Sequence, residues 1–191
     1  DNDSMFVFVE LTAKTQNSDF PVFIEDSLVF TLQSGKIQSV VLTARAQNVN
    51  LLKGEIITEN RFFDADKPYL IYDSLVVGPE ALLELNAGAT LMFHSNADLI
   101  VRGQLICKGT IDNPVVFRGA RTDKMLPYLP YDRLDAQWGG IRIMPESFGN
   151  VFESVDIHGG SYGIECSLAG IEYYKLQMHN SKVHNVSADA L

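Results

Sequence analysis

From Tyr69 onward the chain is a succession of apolar pairs whose members stand two residues apart. They run Leu75/Val77, Leu83/Leu85, Leu91/Phe93, Leu99/Val101, Leu105/Cys107 and Val115/Phe117. After a polar interruption they resume as Ile141/Ile143, Val155/Ile157, Ile164/Cys166 and Leu176/Met178. A spacing of two belongs to β-strands, whose alternate side chains share one face, and runs this short leave no room for an amphipathic helix. Gly78, Gly88, Gly103, Gly109, Gly119, Gly149 and Gly159 fall between the pairs, where sharp corners need residues that tolerate positive φ. A sandwich of hairpins would want longer strands and two-residue turns such as Asn-Gly, and neither occurs over 69–191. Very short strands joined by corners predict an all-β parallel solenoid, in which the inward residues of one coil stack on those of the next.

Residues 1–50 read differently. Met5 to Leu11, Val22/Ile24, Leu28 to Leu32 and Val40 to Ala44 alternate at period two over longer runs. The clusters Gln16-Asn17-Ser18-Asp19, Glu25-Asp26-Ser27 and Ser34-Gly35-Lys36 read as turns between them. This predicts an incomplete antiparallel, sandwich-like region, since a whole sandwich takes on the order of 100 residues. Residues 51–68 read as a connector and the start of the helix cap, with Lys67-Pro68-Tyr69 as the boundary. Residues 69–191 form the solenoid. Residues 181–191 show no capping helix, so the pattern predicts further coils beyond Leu191 and self-association through open β ends.

Charge and composition narrow the function. Fifteen basic against 24 acidic residues give a net charge of −9, the wrong sign for nucleic acid, whose binding needs clustered Lys and Arg. No apolar run approaches the length of a transmembrane helix. No signal sequence opens the chain, because Asp1 begins the polar stretch DNDS. Cys107 and Cys166 could form one disulfide, but each occupies the second place of an inward pair, which favours two buried free thiols.

A family resemblance attaches to particular phrases. "KPYLIYDSLVVGPEALLELNAGATLMFHSNADLIVRGQLICKGTIDNPVVFRGARTD" followed by "LPYDRLDAQWGGIRI" resembles the right-handed parallel β-helix proteins of the pectin-lyase-like class. More narrowly it is similar to the exported lipoproteins of Bacteroides-type gut bacteria, which also carry a β-rich segment like "DFPVFIEDSLVFTLQSGKIQSVVLTARAQNV" ahead of the helix. The resemblance implies a right-handed coil and an exported protein, at the cell surface, anchored to the outer membrane or in the periplasm. Its motifs are structural and imply no activity.

The richest polar segment is "RTDKMLPYLPYDRLDAQWGG", residues 121–140. Long loops on rigid scaffolds often carry function. Tyr128, Tyr131, Asp132, Arg133, Asp135 and Trp138 gather aromatic faces and charges that suit a glycan or polysaccharide; the competing reading makes Trp138 and the tyrosines a packed cover over the helix. No catalytic residue is assigned: Gly-x-Ser-x-Gly elbows, P-loops and Rossmann glycines are absent. The resemblance does bring in lyases that use Asp-bound Ca²⁺ and an Arg or Lys base, for which Asp123, Asp132 and Asp135 with Arg133 or Arg142 would be the set. Asp156 in "SVDIHGG" would be one of the paired carboxylates of a glycoside hydrolase. His94, His158, His179 and His184 read as solvated corners, and Asn180 as a member of an internal Asn ladder. Together these features point to a non-catalytic exported β-helix, a surface scaffold or glycan-binding module. A polysaccharide-degrading enzyme of the same fold class is the alternative.

Overall fold

The structure is a computed structural model that describes residues 6–12, 21–167 and 173–191. The chain divides into two compact units, residues 1–48 and 49–191. In the first, β1 (Val22–Thr31) and β2 (Ile37–Ala46) pair antiparallel from Val22↔Ala46 to Thr31↔Ile37. Among the described residues, the antiparallel region expected ahead of the helix is a two-stranded ribbon. Glu25-Asp26-Ser27 is not a turn: Asp26 and Ser27 face Leu42 and Val41 across the ladder, and these polar residues are tolerated because they are exposed. Phe6 to Leu11 lie outside any strand, while Met5 and the turn at residues 16–19 fall outside the described residues.

The second unit is a parallel β-helix of about five turns. The first coil holds β3 (Asn50–Ile57) and β4 (Arg61–Phe63), and the second holds β5 (Tyr69–Val77) and β6 (Leu82–Asn86). The third comprises β7 (Thr90–Phe93), β8 (Leu99–Val101) and β9 (Gln104–Lys108). The fourth opens with β10 (Val115–Gly119), departs through a small hairpin of β11 (Lys124–Leu126) and β12 (Leu129–Pro130), and resumes with β13 (Ile141–Ile143) and β14 (Asn150–Glu153). The fifth has β15 (Val155–His158), β16 (Ile164–Cys166) and β17 (Leu176–His179), after which β18 (Lys182–His184) begins the next. Residues 51–68, read above as connector and start of the cap, therefore carry the first coil, with Leu52, Ile57 and Phe63 in the core.

Three faces result. Face A stacks β3, β5, β7, β10, β15 and β18. Face B stacks the second halves of β3 and β5 with β8, β13 and β16. Face C stacks β4, β6, β9, β14 and β17. The inward pairs form columns along the axis: Tyr69–Leu91–Phe117–Ile157–Val183 on face A, Leu75–Leu99–Ile141–Ile164 on face B and Phe63–Leu85–Cys107–Phe152–Met178 on face C. Burying each of the fully buried Leu, Ile and Phe side chains in these columns contributes on the order of 1.5–3 kcal/mol, which is what ties coil to coil.

Face A also has a gap, and Trp138 fills it. Phe93 lies below Gly119 in register, so the next coil offers no side chain there. The indole of Trp138 stacks on Phe93 instead, with centroids 4.4 Å apart, and its Nε1–H donates to the carbonyl of His158 at 2.9 Å. Glycine is needed at 119 because a Cβ would stand 2.6 Å from the Gln137 Cβ, where the returning chain passes. Gly140 is required likewise, since its Cβ would sit 2.5 Å from ring carbons of Tyr162.

Both cysteines are free thiols, but only Cys107 is buried. Cys166 occupies the inward register above the buried Ile143 yet is exposed, because among the described residues no strand stacks on the far edge of β16. Asn180 is a corner residue with φ of 52° whose exposed side chain donates to Glu153 at 2.8 Å, so it belongs to no internal ladder. No helix among the described residues is long and apolar enough to cross a membrane.

Candidate functional site

The outward side of face A carries a continuous charged column. Strand alternation sends Asp156 and His158 to the same outer surface of β15, and parallel register sets Lys182 opposite Asp156 and His184 opposite His158. Arg118 projects from β10 in the coil below. The 3₁₀ turn Tyr131–Arg133 lays Asp132 over this surface.

The groups form an alternating chain of charges. Arg118 Nη2 lies 2.8 Å from Asp132 Oδ1, and the same oxygen lies 2.9 Å from His158 Nε2. His158 Nδ1 is 2.8 Å from Asp156 Oδ1, and Lys182 Nζ is 2.7 Å from Asp156 Oδ2. His184 Nε2 approaches Asp156 Oδ1 at 3.0 Å, and the two imidazoles stack 5.0 Å apart. Burial opposes the charge on His158, but its hydrogen bonds to Asp132 and Asp156 outweigh that penalty and hold its pKa up at about 9. Burial by itself would raise Asp156, and the hydrogen bonds from His158 and Lys182 instead keep it well below the usual carboxylate range. Asp132 is lowered first by its hydrogen bond from His158 and then by Arg118. At neutral pH the centre is an imidazolium clasped by two carboxylates, with no uncommitted base or nucleophile.

A second outward group lies on face B. Tyr162 donates its hydroxyl to Asp98 at 2.8 Å while Arg142 Nε donates to the phenol oxygen at 2.8 Å. Burial and then the Asp98 carboxylate push the Tyr162 phenol well up, so it keeps its proton. This group fastens β13 to the corner after β15 and holds no phenolate base.

The six residues singled out in the 121–140 segment separate. Tyr128 is 78% exposed at the tip of the β11–β12 hairpin. Tyr131 lies under the Arg121 guanidinium, 3.4 Å from its ring centroid, and Arg121 in turn pairs with Asp123. Asp132 joins the charged column. Arg133 is exposed and offers its carbonyl to Asn185 at 2.9 Å, and Asp135 is exposed with its carbonyl bonded to Gln137 at 2.9 Å. Trp138 is 1% exposed. Its ring faces Phe93 and presents no surface to a sugar, so it leaves the candidate binding set and matches the packed-cover reading. The oxygen set that the lyase resemblance would need for Ca²⁺ does not fit: Asp123 pairs with Arg121 and Asp132 with Arg118 and His158. Among the described residues the three-ligand group that converges is Asp156, His158 and His184.

His158 and His184 are not solvated corners: they stand on β15 and β18 in a column that Arg118 and Lys182 complete, two residues that carry no motif of their own in the sequence. A signal was present. "VDIH" at 155–158 and "KVH" at 182–184 share an outward-inward-outward pattern, and Asp156/Lys182 and His158/His184 are each 26 residues apart, one coil. Aligning coils by length places these four side chains together.

No protein-family model matches the chain, and no solved structure matches it. Protein bark beetle of Drosophila melanogaster is 27% identical over 119 residues, an alignment covering 59% of this chain and 4% of that protein. A likeness over so small a share of the longer protein carries no activity across to this one.

Proposed function

We propose that the chain is a non-catalytic β-helix module of an exported protein, presenting a glycan-binding surface from the hairpin of its fourth coil. One observation carries the reading. An exposed tyrosine, Tyr128, is held out from a rigid coil by a segment whose base is clamped through Asp132 to His158. An exposed ring carried on such a segment can pack on sugar C–H groups, and the charges of Arg133 and Asp135 are near in sequence to bond hydroxyls. The full mutual pairing of Arg118, Asp132, His158, Asp156 and Lys182 speaks against acid–base catalysis in the same region. The resemblance to exported pectin-lyase-like lipoproteins is the ground for placing the module at the cell surface or in the periplasm.

The test is a glycan array read alongside reducing-sugar and unsaturated-product assays on the bound polysaccharides. The expected result is retention of a polysaccharide with no product, and a loss of about tenfold in affinity, roughly 1.4 kcal/mol, for Tyr128→Ala. Release of reducing ends or unsaturated sugars would overturn the reading in favour of a polysaccharide-degrading enzyme. Retention of no glycan at all would remove the binding surface and leave a scaffold.

A further inference from the structure

We propose that Asp156, His158 and His184 form a site for a divalent transition-metal ion of the Zn²⁺ type on the outer surface of face A. One ligand atom from each residue lies within 4.8 Å of the others. Strand register places them, since Asp156 and His158 alternate on β15 and His184 stands opposite His158 on β18. Asp156 Oδ1 is the common point, 2.8 Å from His158 Nδ1 and 3.0 Å from His184 Nε2. An ion entering there displaces the proton of His158 Nδ1 to solvent, and that nitrogen and His184 Nε2 then each offer a lone pair.

The far side of each imidazole is already anchored. His158 Nε2 contacts Asp132 Oδ1 at 2.9 Å, and His184 Nδ1 contacts Asn185 Oδ1 at 2.5 Å. An oxygen acceptor on the remote nitrogen is the outer arrangement that fixes tautomer and ring plane in metal-binding histidines. Two imidazole nitrogens and one carboxylate oxygen suit Zn²⁺, Ni²⁺ or Cu²⁺, whereas Ca²⁺ prefers a larger set of oxygens. Three protein ligands leave a fourth tetrahedral position to water or to a group from a partner. The Lys182 ammonium, 2.7 Å from Asp156 Oδ2, opposes a cation at this point and so tunes the site downward. The site shares His158 with the clamp on the hairpin base but uses none of the side chains proposed to meet a glycan, and metal uptake is read without any glycan present.

The tag-free 191-residue chain, stripped with chelator, is titrated with ZnCl₂ by calorimetry, and bound metal is counted by atomic emission. One ion per chain is expected, with a Kd on the order of 1 μM or tighter. His184→Ala, at a half-exposed position that the core does not need, weakens binding by at least about tenfold, and Lys182→Ala tightens it. Variants His94→Ala, His179→Ala and Cys166→Ser bind as the parent does. Failure of the parent to take up one ion overturns the proposal. So does undiminished affinity in a His184→Ala chain that melts like the parent, or a loss of binding that follows His179 or Cys166 instead.

Discussion

Asn150 faces inward at a position where the columns of face C otherwise place apolar side chains, opposite Leu176 in register and fully buried. Its Oδ1 accepts the Leu105 N–H at 2.8 Å, while Nδ2 donates to Ser147 Oγ at 3.0 Å and to the Lys175 carbonyl at 2.8 Å. One amide thereby joins three successive coils at the corner between faces B and C. The buried N–H of Leu105 has no substitute partner once that oxygen is gone, and leaving such a donor unpaired costs full desolvation. Asn150→Ala is therefore expected to destabilise by about 2–4 kcal/mol in chemical denaturation. Asn150→Asp keeps the acceptor for Leu105 but loses the donors and should also destabilise. A cost below about 1 kcal/mol for the alanine variant would show that the corner repacks or admits water.

At the scale of an element, the departure of the chain between β10 and β13 is the most informative feature. The coil loses its inward side chain at Gly119, and Trp138 restores it from the other end of the excursion. Trp138→Ala should destabilise by about 3–5 kcal/mol, the range for emptying a buried large aromatic. Trp138→Phe keeps the stack on Phe93, loses the N–H donated to His158 and should fall between that variant and the parent. Native-like melting of Trp138→Ala would show that the Trp138 ring is not part of the packed core. The strands themselves were legible because a pair of apolar residues two apart reports its own inward face locally, as Leu99/Val101 and Ile141/Ile143 do. The excursion was legible as an interruption of that rhythm. The charged column was hidden because its members are joined by register: Asp156 meets His184 only if coil length is known, and Asp132 only if the fold-back of its turn is known. Cys166 misled for a related reason, since facing inward buries a side chain only when another coil covers it.

For the whole molecule, the two units differ in what holds them. Every buried apolar side chain among the described residues lies at or beyond Leu52, and none lies in residues 1–48. The ribbon instead exposes Phe23, Val29, Ile37, Val40 and Val41. A lone two-stranded ribbon is marginal in water, and apolar faces of this kind seek another surface. We predict that a chain of residues 49–191 keeps the β-rich circular dichroism of the parent and melts within about 5 °C of it, because its core is intact. The full chain should associate in a concentration-dependent way in sedimentation, and the shortened chain less so. Unfolding of residues 49–191 alone would show that the ribbon supplies essential stability, and equal association of both chains would assign self-contact to the helix.

The closure at Trp138 has an engineering consequence. Because the helix regains its register at that residue, the segment from Lys124 to Pro130 can vary in length without shifting the coils on either side. Doubling a loop of this kind costs only about 0.6 kcal/mol of closure entropy. The fourth coil is in effect a socket for foreign peptides, where an epitope or a recognition sequence can be spliced in and displayed from a rigid stem while the scaffold beneath keeps its own fold.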